Sequence, residues 1–252
     1  MDKKALVLIP SRYASTRFPG KPLAKISSKP MVQWVYEGCA SLLNDWKDAV
    51  VCVVTDNDEI EACVKGFGGQ VVRVDDDVPS GSERIQLAYE RYFSDQDFDY
   101  VVNVQGDEPL ITGELLKELL VFQESEGFDV GTVVKRMPMT DKGYEDSNKV
   151  KAIYSLDSGR CHFFTRSPFP FNRNKTEGLD WFLHIGIYSF RPSVLKSFCQ
   201  LTPSYYEEIE CLEQLRLIDN GYSIGAVPTE MTLCGVDVPE DIQHIEGVIS
   251  GR

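Results

Sequence analysis

Apolar residues along this 252-residue chain recur in two rhythms, short continuous runs and stretches of helical period. Residues 5–9 read as a buried strand, and residues 30–43 as a helix with Met31, Val35 and Leu42 among its apolar positions. Ala49–Thr55 is a second β-rich run. DNDEIEACVKGFGG then predicts a short helix, with acids in its first turn and glycines at its end. Residues 71–74 form a third strand. SGSER opens a helix on which Ile85, Ala88, Tyr89 and Tyr92 recur at helical spacing, with Ser80 or Ser82 as the cap. Residues 100–104 are a fourth strand, and Leu115, Leu116, Leu119 and Leu120 mark the helix that follows.

Strands alternating with helices require crossover connections, so the pattern predicts an α/β fold with a mainly parallel twisted sheet and helices on both faces. Ligands of such sheets sit outside the carboxyl ends of the strands. The second half is less regular: strands at 149–155, 161–165, 184–190 and 223–227, a long helix at 205–220 and a closing helix at 238–249. No linker-like composition separates the halves, so a single domain over 1–252 is expected.

Charge refines this picture. A formal net charge of -13 disfavours nucleic acid and anionic membranes as partners. Yet the first 30 residues hold seven basic side chains against one acid, Asp2. A basic loop on an acidic body suits a small, highly charged anion. The seven cysteines are scattered without C-x-x-C spacing, so neither a disulfide framework nor a zinc site is predicted. No apolar run reaches the roughly 20 residues of a membrane span, and the apolar segment near the N-terminus is too short for a secretory signal. A cytoplasmic protein is expected.

Three loops carry candidate chemistry. RYASTRFPGKP places Arg12, Arg17 and Lys21 after the first strand, stiffened by prolines. It reads either as a polyphosphate cradle or as a solvated basic loop. Pro22 after Gly20-Lys21 excludes a Walker loop. VNVQGDEPL projects Asp107 and Glu108 from a strand end, either as a capped turn or as an oxygen site for Mg²⁺, which takes one or two carboxylates plus substrate phosphates. In GVDVPEDI, Asp237 is either a helix N-cap, with Pro239 in the first turn, or a second carboxylate for the same ion. Two further segments look suited to a polyhydroxylated ligand. HIGIYSFR puts His184, Gly186, Tyr188 and Phe190 on one face of a strand. EEIECLEQLR leaves Glu213 and Gln214 at a helix edge, where Glu213 serves equally well as a surface partner of Arg216 or Lys196.

Taken in order and spacing, LIPSRYASTRFPGKPL, SGSER, VNVQGDEPLI, HIGIYSFR, IECLEQLR and GVDVPEDI closely resemble the 3-deoxy-manno-octulosonate cytidylyltransferase (CMP-Kdo synthetase) family, from about residue 8 to residue 242. The resemblance implies a nucleotidyltransferase Rossmann-like fold, with residues 1–135 as the nucleotide-binding part and 136–252 as the sugar-binding and dimerisation part. It also implies Mg²⁺ dependence, a homodimer, and transfer of CMP from CTP to the acid sugar Kdo for lipopolysaccharide biosynthesis. By the same resemblance the nucleotide falls to Pro10, Ser11, Arg12, Arg17, Lys21, Ser80, Gly81 and Arg84, and the metal to Asp107 and Asp237. Arg12, Lys21, Asp107 and Asp237 are the implied catalytic set. The sugar falls to Gln105, Arg166, His184, Tyr188, Glu213 and Gln214, with Arg166 as the cation for its carboxylate. Departures from the family's pattern are Ser82 for Thr, Thr165 for Ser, and DSNKVK for N-P-N-x-V-K. Transfer to a related acid sugar, such as the 8-amino analogue of Kdo or a nonulosonate, and a catalytically silent nucleotide sensor are the alternative readings.

Overall fold

The computed structural model describes residues 3–14, 18–78 and 80–251. The chain divides into two compact units, one made of residues 1–117 and 232–252, the other of residues 118–231.

The first unit is built on four parallel strands. They are β1 (Ala5–Ser11), β4 (Ala49–Thr55), β5 (Val71–Arg73) and β6 (Tyr100–Asn103), in the order β5-β4-β1-β6. Two short strands, β2 (Lys25–Ile26) and β3 (Lys29–Pro30), make a separate ribbon. Residues 5–9 of β1 are fully buried, which is why the strand reads as an unbroken apolar run, as central parallel strands do. Around these strands lie α1 (Met31–Ala40), α2 (Asp58–Gly66) and α3 (Gly81–Tyr92), and α4 (Gly113–Glu126) carries the chain into the second unit. Asn57 caps α2 by accepting the Glu59 and Ile60 N–H groups, with three acids in the first turn facing the positive end of the helix dipole. Ser80, of the two serines considered, caps α3 by accepting the Glu83 N–H.

The second unit departs from the expected parallel sheet. Its strands β7 (Val130–Pro138), β8 (Lys151–Tyr154), β9 (Arg160–Thr165), β10 (Asp180–Phe190) and β11 (Ile224–Thr229) lie in the order β10-β7-β11-β9-β8. Only β7 and β11 run parallel; the other pairs are antiparallel, and β10 also meets β8 at Leu183 and Lys151. The fold as a whole is therefore mixed α/β. A bulge between Ile185 and Tyr188 shifts the pairing of β10 with β7 by two residues, while burial still alternates from His184 to Ser189 as expected. A regular strand advances about 13 Å over four residues, yet the rings of His184 and Tyr188 lie 5.4 Å apart.

After α5 (Pro192–Gln200) the single long helix expected at 205–220 is two helices, α6 (Tyr205–Glu210) and α7 (Gln214–Asp219), separated at Cys211 with φ 52°. The break has a charge-pairing reason. Residues nine apart on one helix project on opposite sides. Here Glu207 of α6 and Arg216 of α7, both buried, form an ion pair through Arg216 Nε and Oε2 at 2.7 Å.

The chain returns to the first unit with α8 (Asp241–Ser250). Ile245 of α8 and Val236 before it join Ile26, Met31 and Leu110 in one buried cluster. Asp237 is not the N-cap: the Asp241 carboxylate accepts the N–H groups of Asp237 and Val238, at 2.7 and 3.0 Å. Local capping therefore does not require the Asp237 carboxylate.

Candidate active site

At the carboxyl end of the parallel strands in the first unit, β1 delivers Pro10 and Ser11, and β6 delivers Gln105, Gly106 and Asp107 two to four residues past its end. These two loops touch. A Cβ on Gly106 would stand 2.8 Å from the Pro10 carbonyl oxygen and 2.9 Å from Ser11 Oγ, so the glycine is what lets the acidic turn lie against the strand end. Gly20, with φ 70°, turns the basic loop into a short 3₁₀ segment that carries Lys21. Lys21 Nζ donates to Asp107 Oδ2 at 2.6 Å and to the Val236 carbonyl at 2.8 Å, and the Val236 N–H donates to the Asp107 carbonyl at 2.9 Å. Basic loop, acidic turn and the segment bearing Asp237 are thus tied into one corner.

Arg12 is exposed, and Arg17 lies outside the described residues. Gly81, first in α3, sits beside Pro10: a Cβ there would be 3.5 Å from the proline ring and 4.0 Å from Asn103 Nδ2. Arg84 is more deeply placed than a nucleotide-lining residue need be. It is 2% exposed, donates to the carbonyls of Val74 and Asp76, and pairs with Asp56 at 3.3 Å. Burial lowers its pKa, the Asp56 charge opposes that, and the Arg12 charge adds to it. Asn103 was not singled out from sequence. It is 1% exposed with Oδ1 lacking a partner among the described residues, and an amide within VVNV was the signal available.

The corner fits a hard divalent cation in its donor set. Asp107 Oδ2 already accepts from an ammonium group, and the Val236 pairing sets Asp237 one residue away from that contact. Two carboxylates suit Mg²⁺, which completes its shell with water and phosphate oxygens. Among the described residues no three His, Cys, Asp or Glu side chains cluster as a metal centre.

Of the expected sugar residues, Gln105 belongs to the first unit and the other five to the second. On β10, His184 Nε2 lies 3.2 Å from Thr132 Oγ1. That hydroxyl has one proton and two nearby carbonyls, Ile187 at 2.8 Å and Ile185 at 3.3 Å. The Nε2 therefore donates and Nδ1 keeps its lone pair. Burial lowers the His184 pKa to about 3, so the ring is neutral. Burial, then the Glu213 charge, raises that of Tyr188, keeping its phenol protonated. The strip is polar and uncharged, suited to hydroxyl groups. Gln214, first in α7, is 6% exposed, with Nε2 lacking a partner among the described residues.

Arg166 is held rather than loose. Its guanidinium donates to the carbonyls of Glu210 at 2.6 Å, Ser147 at 3.0 Å and Cys211 at 3.3 Å. Among the described residues three of its five N–H groups are engaged, leaving two for a ligand carboxylate. Lys151 and Glu210, which contact this arginine, were not marked as site residues from sequence.

Residues 6–224 match the cytidylyltransferase family profile. The 3-deoxy-manno-octulosonate cytidylyltransferase of Acaryochloris marina is 41% identical over 94% of both chains, and that of Parabacteroides distasonis 40% over 99% of both. A solved structure of CMP:2-keto-3-deoxy-manno-octonic acid synthetase complexed with CTP aligns at a TM-score of 0.89, with 33% identity over 99% of each chain. With this agreement in sequence and in fold, the chain belongs to the cytidylyltransferase family, among the 3-deoxy-manno-octulosonate cytidylyltransferases.

Proposed function

We propose that the chain transfers CMP from CTP to Kdo, giving CMP-Kdo and pyrophosphate for lipopolysaccharide assembly. The observation that carries the reading is the corner of Lys21, Asp107 and Val236, which unites a basic loop with two aspartate-bearing segments at the ligand edge of a parallel sheet. The relatives' name supplies the acceptor.

The anomeric hydroxyl of the acid sugar attacks the α-phosphorus in line, and pyrophosphate leaves. Arg12, Arg17 and Lys21 hold the triphosphate and offset the charge that builds on the departing pyrophosphate. Pro10, Ser11, Ser80 and Gly81 line the nucleoside. Asp107 and Asp237 would hold Mg²⁺, which when bound would offset charge on the phosphate oxygens and favour loss of the attacking hydroxyl's proton. Neutral His184, with Tyr188, Glu213 and Gln214, orients the sugar hydroxyls, and Arg166 presents its two remaining N–H groups to the sugar carboxylate. A cytoplasmic homodimer accompanies this reading. Among the described residues no helix is long and apolar enough to cross a membrane.

Pyrophosphate release from CTP and Mg²⁺ tests the reading, with Kdo, its 8-amino analogue and N-acetylneuraminate offered separately. Release with Kdo alone is expected. Release only with another sugar overturns the acceptor, and silence with all three favours a nucleotide sensor.

A further inference from the structure

Lys151 is buried with no exposed surface, yet its ammonium group meets carbonyls rather than a carboxylate: Asp146 O at 2.7 Å and Arg166 O at 3.1 Å. It also stands 5.8 Å from the ring centroid of buried Trp181. Burial lowers its pKa, against the charges of Asp146 and Glu145, which raise it. Taking a cation out of water for two neutral acceptors is a costly route to stability. What the arrangement achieves is geometric.

Asp146 O and Ser147 O are consecutive carbonyls, the first held by Lys151 and the second by Arg166. Glu210 holds the same arginine through its side chain and its carbonyl. Its carboxylate accepts the Arg166 N–H at 2.8 Å and the Thr165 hydroxyl at 2.7 Å, while its carbonyl accepts Arg166 Nε. Glu210 ends α6, and past the left-handed Cys211 and Leu212 come Glu213 and Gln214. Beside Lys151, the Val150 carbonyl accepts the His184 N–H at 2.9 Å. The turn at 146–147, the end of β9, the α6–α7 junction and the His184 backbone are therefore fixed by one network within the second unit.

We propose that Lys151 and Glu210 are positioning residues for acid-sugar binding, setting the orientation of Arg166 and of the Glu213–Gln214 pair without touching the sugar themselves. The proposal rests on the sugar assignment made above. Orientation errors of this kind act on the ligand that the network faces, so the loss falls on one substrate.

Steady-state kinetics of the full chain, with CTP and Kdo varied independently, test it. Lys151→Met and Glu210→Gln are expected to raise the KM for Kdo about tenfold, and Thr165→Val about threefold, with the KM for CTP within about twofold of the parent. Thr165→Val removes one hydroxyl and decides the matter if Lys151→Met does not fold. A lowered melting temperature with both KM values unchanged would mean a structural role only and overturns the proposal. Arg166→Ala is the control on the underlying reading. If it leaves the KM for Kdo unchanged, the sugar assignment fails and takes the proposal with it; if it raises that KM while the other variants do not, the proposal alone fails.

Discussion

Lys21 and Asp107, 86 residues apart in sequence, form an ion pair of 2.6 Å at the carboxyl edge of the parallel strands. Their side chains are 17% and 29% exposed, so solvent screens the pair and its contribution to stability is about 1 kcal/mol at most. Asp107→Ala is accordingly expected to lower the melting temperature by only about 2–4 °C while abolishing turnover. Calorimetry beside a pyrophosphate assay checks this; Mg²⁺-dependent activity surviving in the variant would remove Asp107 from the chemistry.

The same lysine has a second role to test. If its charge serves the β- and γ-phosphates, Lys21→Ala weakens CTP binding by about tenfold or more while changing CMP binding little. Isothermal titration with each nucleotide separates the cases. Equal losses would make Lys21 a strut between Asp107 and Val236 and nothing else.

His184 gives a pH signature. Its pKa is lowered to about 3 by burial, and the groups that face it are uncharged: Thr132, Phe164 and Tyr188. The unfolded chain takes up the proton near the ordinary value of about 6.5, so between pH 6.5 and 3 the unfolded state binds more protons and stability falls as pH falls. Urea unfolding is expected to show a loss of about 1 kcal/mol between pH 7 and 5.5 that is absent from His184→Phe. A parallel pH dependence in both proteins would place the titration elsewhere.

The Glu207–Arg216 pair predicts a large effect on folding. Both residues are more than nine-tenths buried, and Arg216 also donates to the Leu201 carbonyl at 3.2 Å. Glu207→Ala strands a buried guanidinium and is expected to cost about 3–5 kcal/mol, read as a shift in the urea midpoint. Removing both charges, as Glu207→Leu with Arg216→Met, is expected to recover most of that loss.

What the sequence revealed and what it hid follow from the range of the forces involved. The residues of β4 were read without error, because a strand buried on both sides writes its burial into a continuous apolar run. The turn bearing Asp107 was legible because a glycine directly after a strand end marks a sharp turn, although sequence left open whether its acids cap a helix or bind a metal. The mainly parallel sheet expected gives way to a mixed one in the second unit, where β7 was not recognised: its buried run at 130–134 passes directly into charged residues. The break at Cys211 and the bulge in β10 leave no local mark, since each answers to partners several residues or strands away. The destinations of Arg84 and Arg166 were hidden for the same reason. Sequence marks an arginine as a cation, and only the fold shows which carbonyls and carboxylates its donors meet.

The return of residues 232–251 to the first unit has a temporal consequence. Chains fold from the N-terminus as they are synthesised, so a ribosome that has just delivered residue 231 has supplied the parallel strands, the basic loop and Asp107. It has not yet supplied Val236, which joins them, or Ile245, which seals the cluster around Ile26 and Met31. A transcript interrupted there would yield a polypeptide with its second unit whole and the corner of Lys21, Asp107 and Val236 unassembled. Assembly of this corner therefore waits for residues 232–245 to be synthesised, and a copy that stops at residue 231 lacks both Val236 and Asp237.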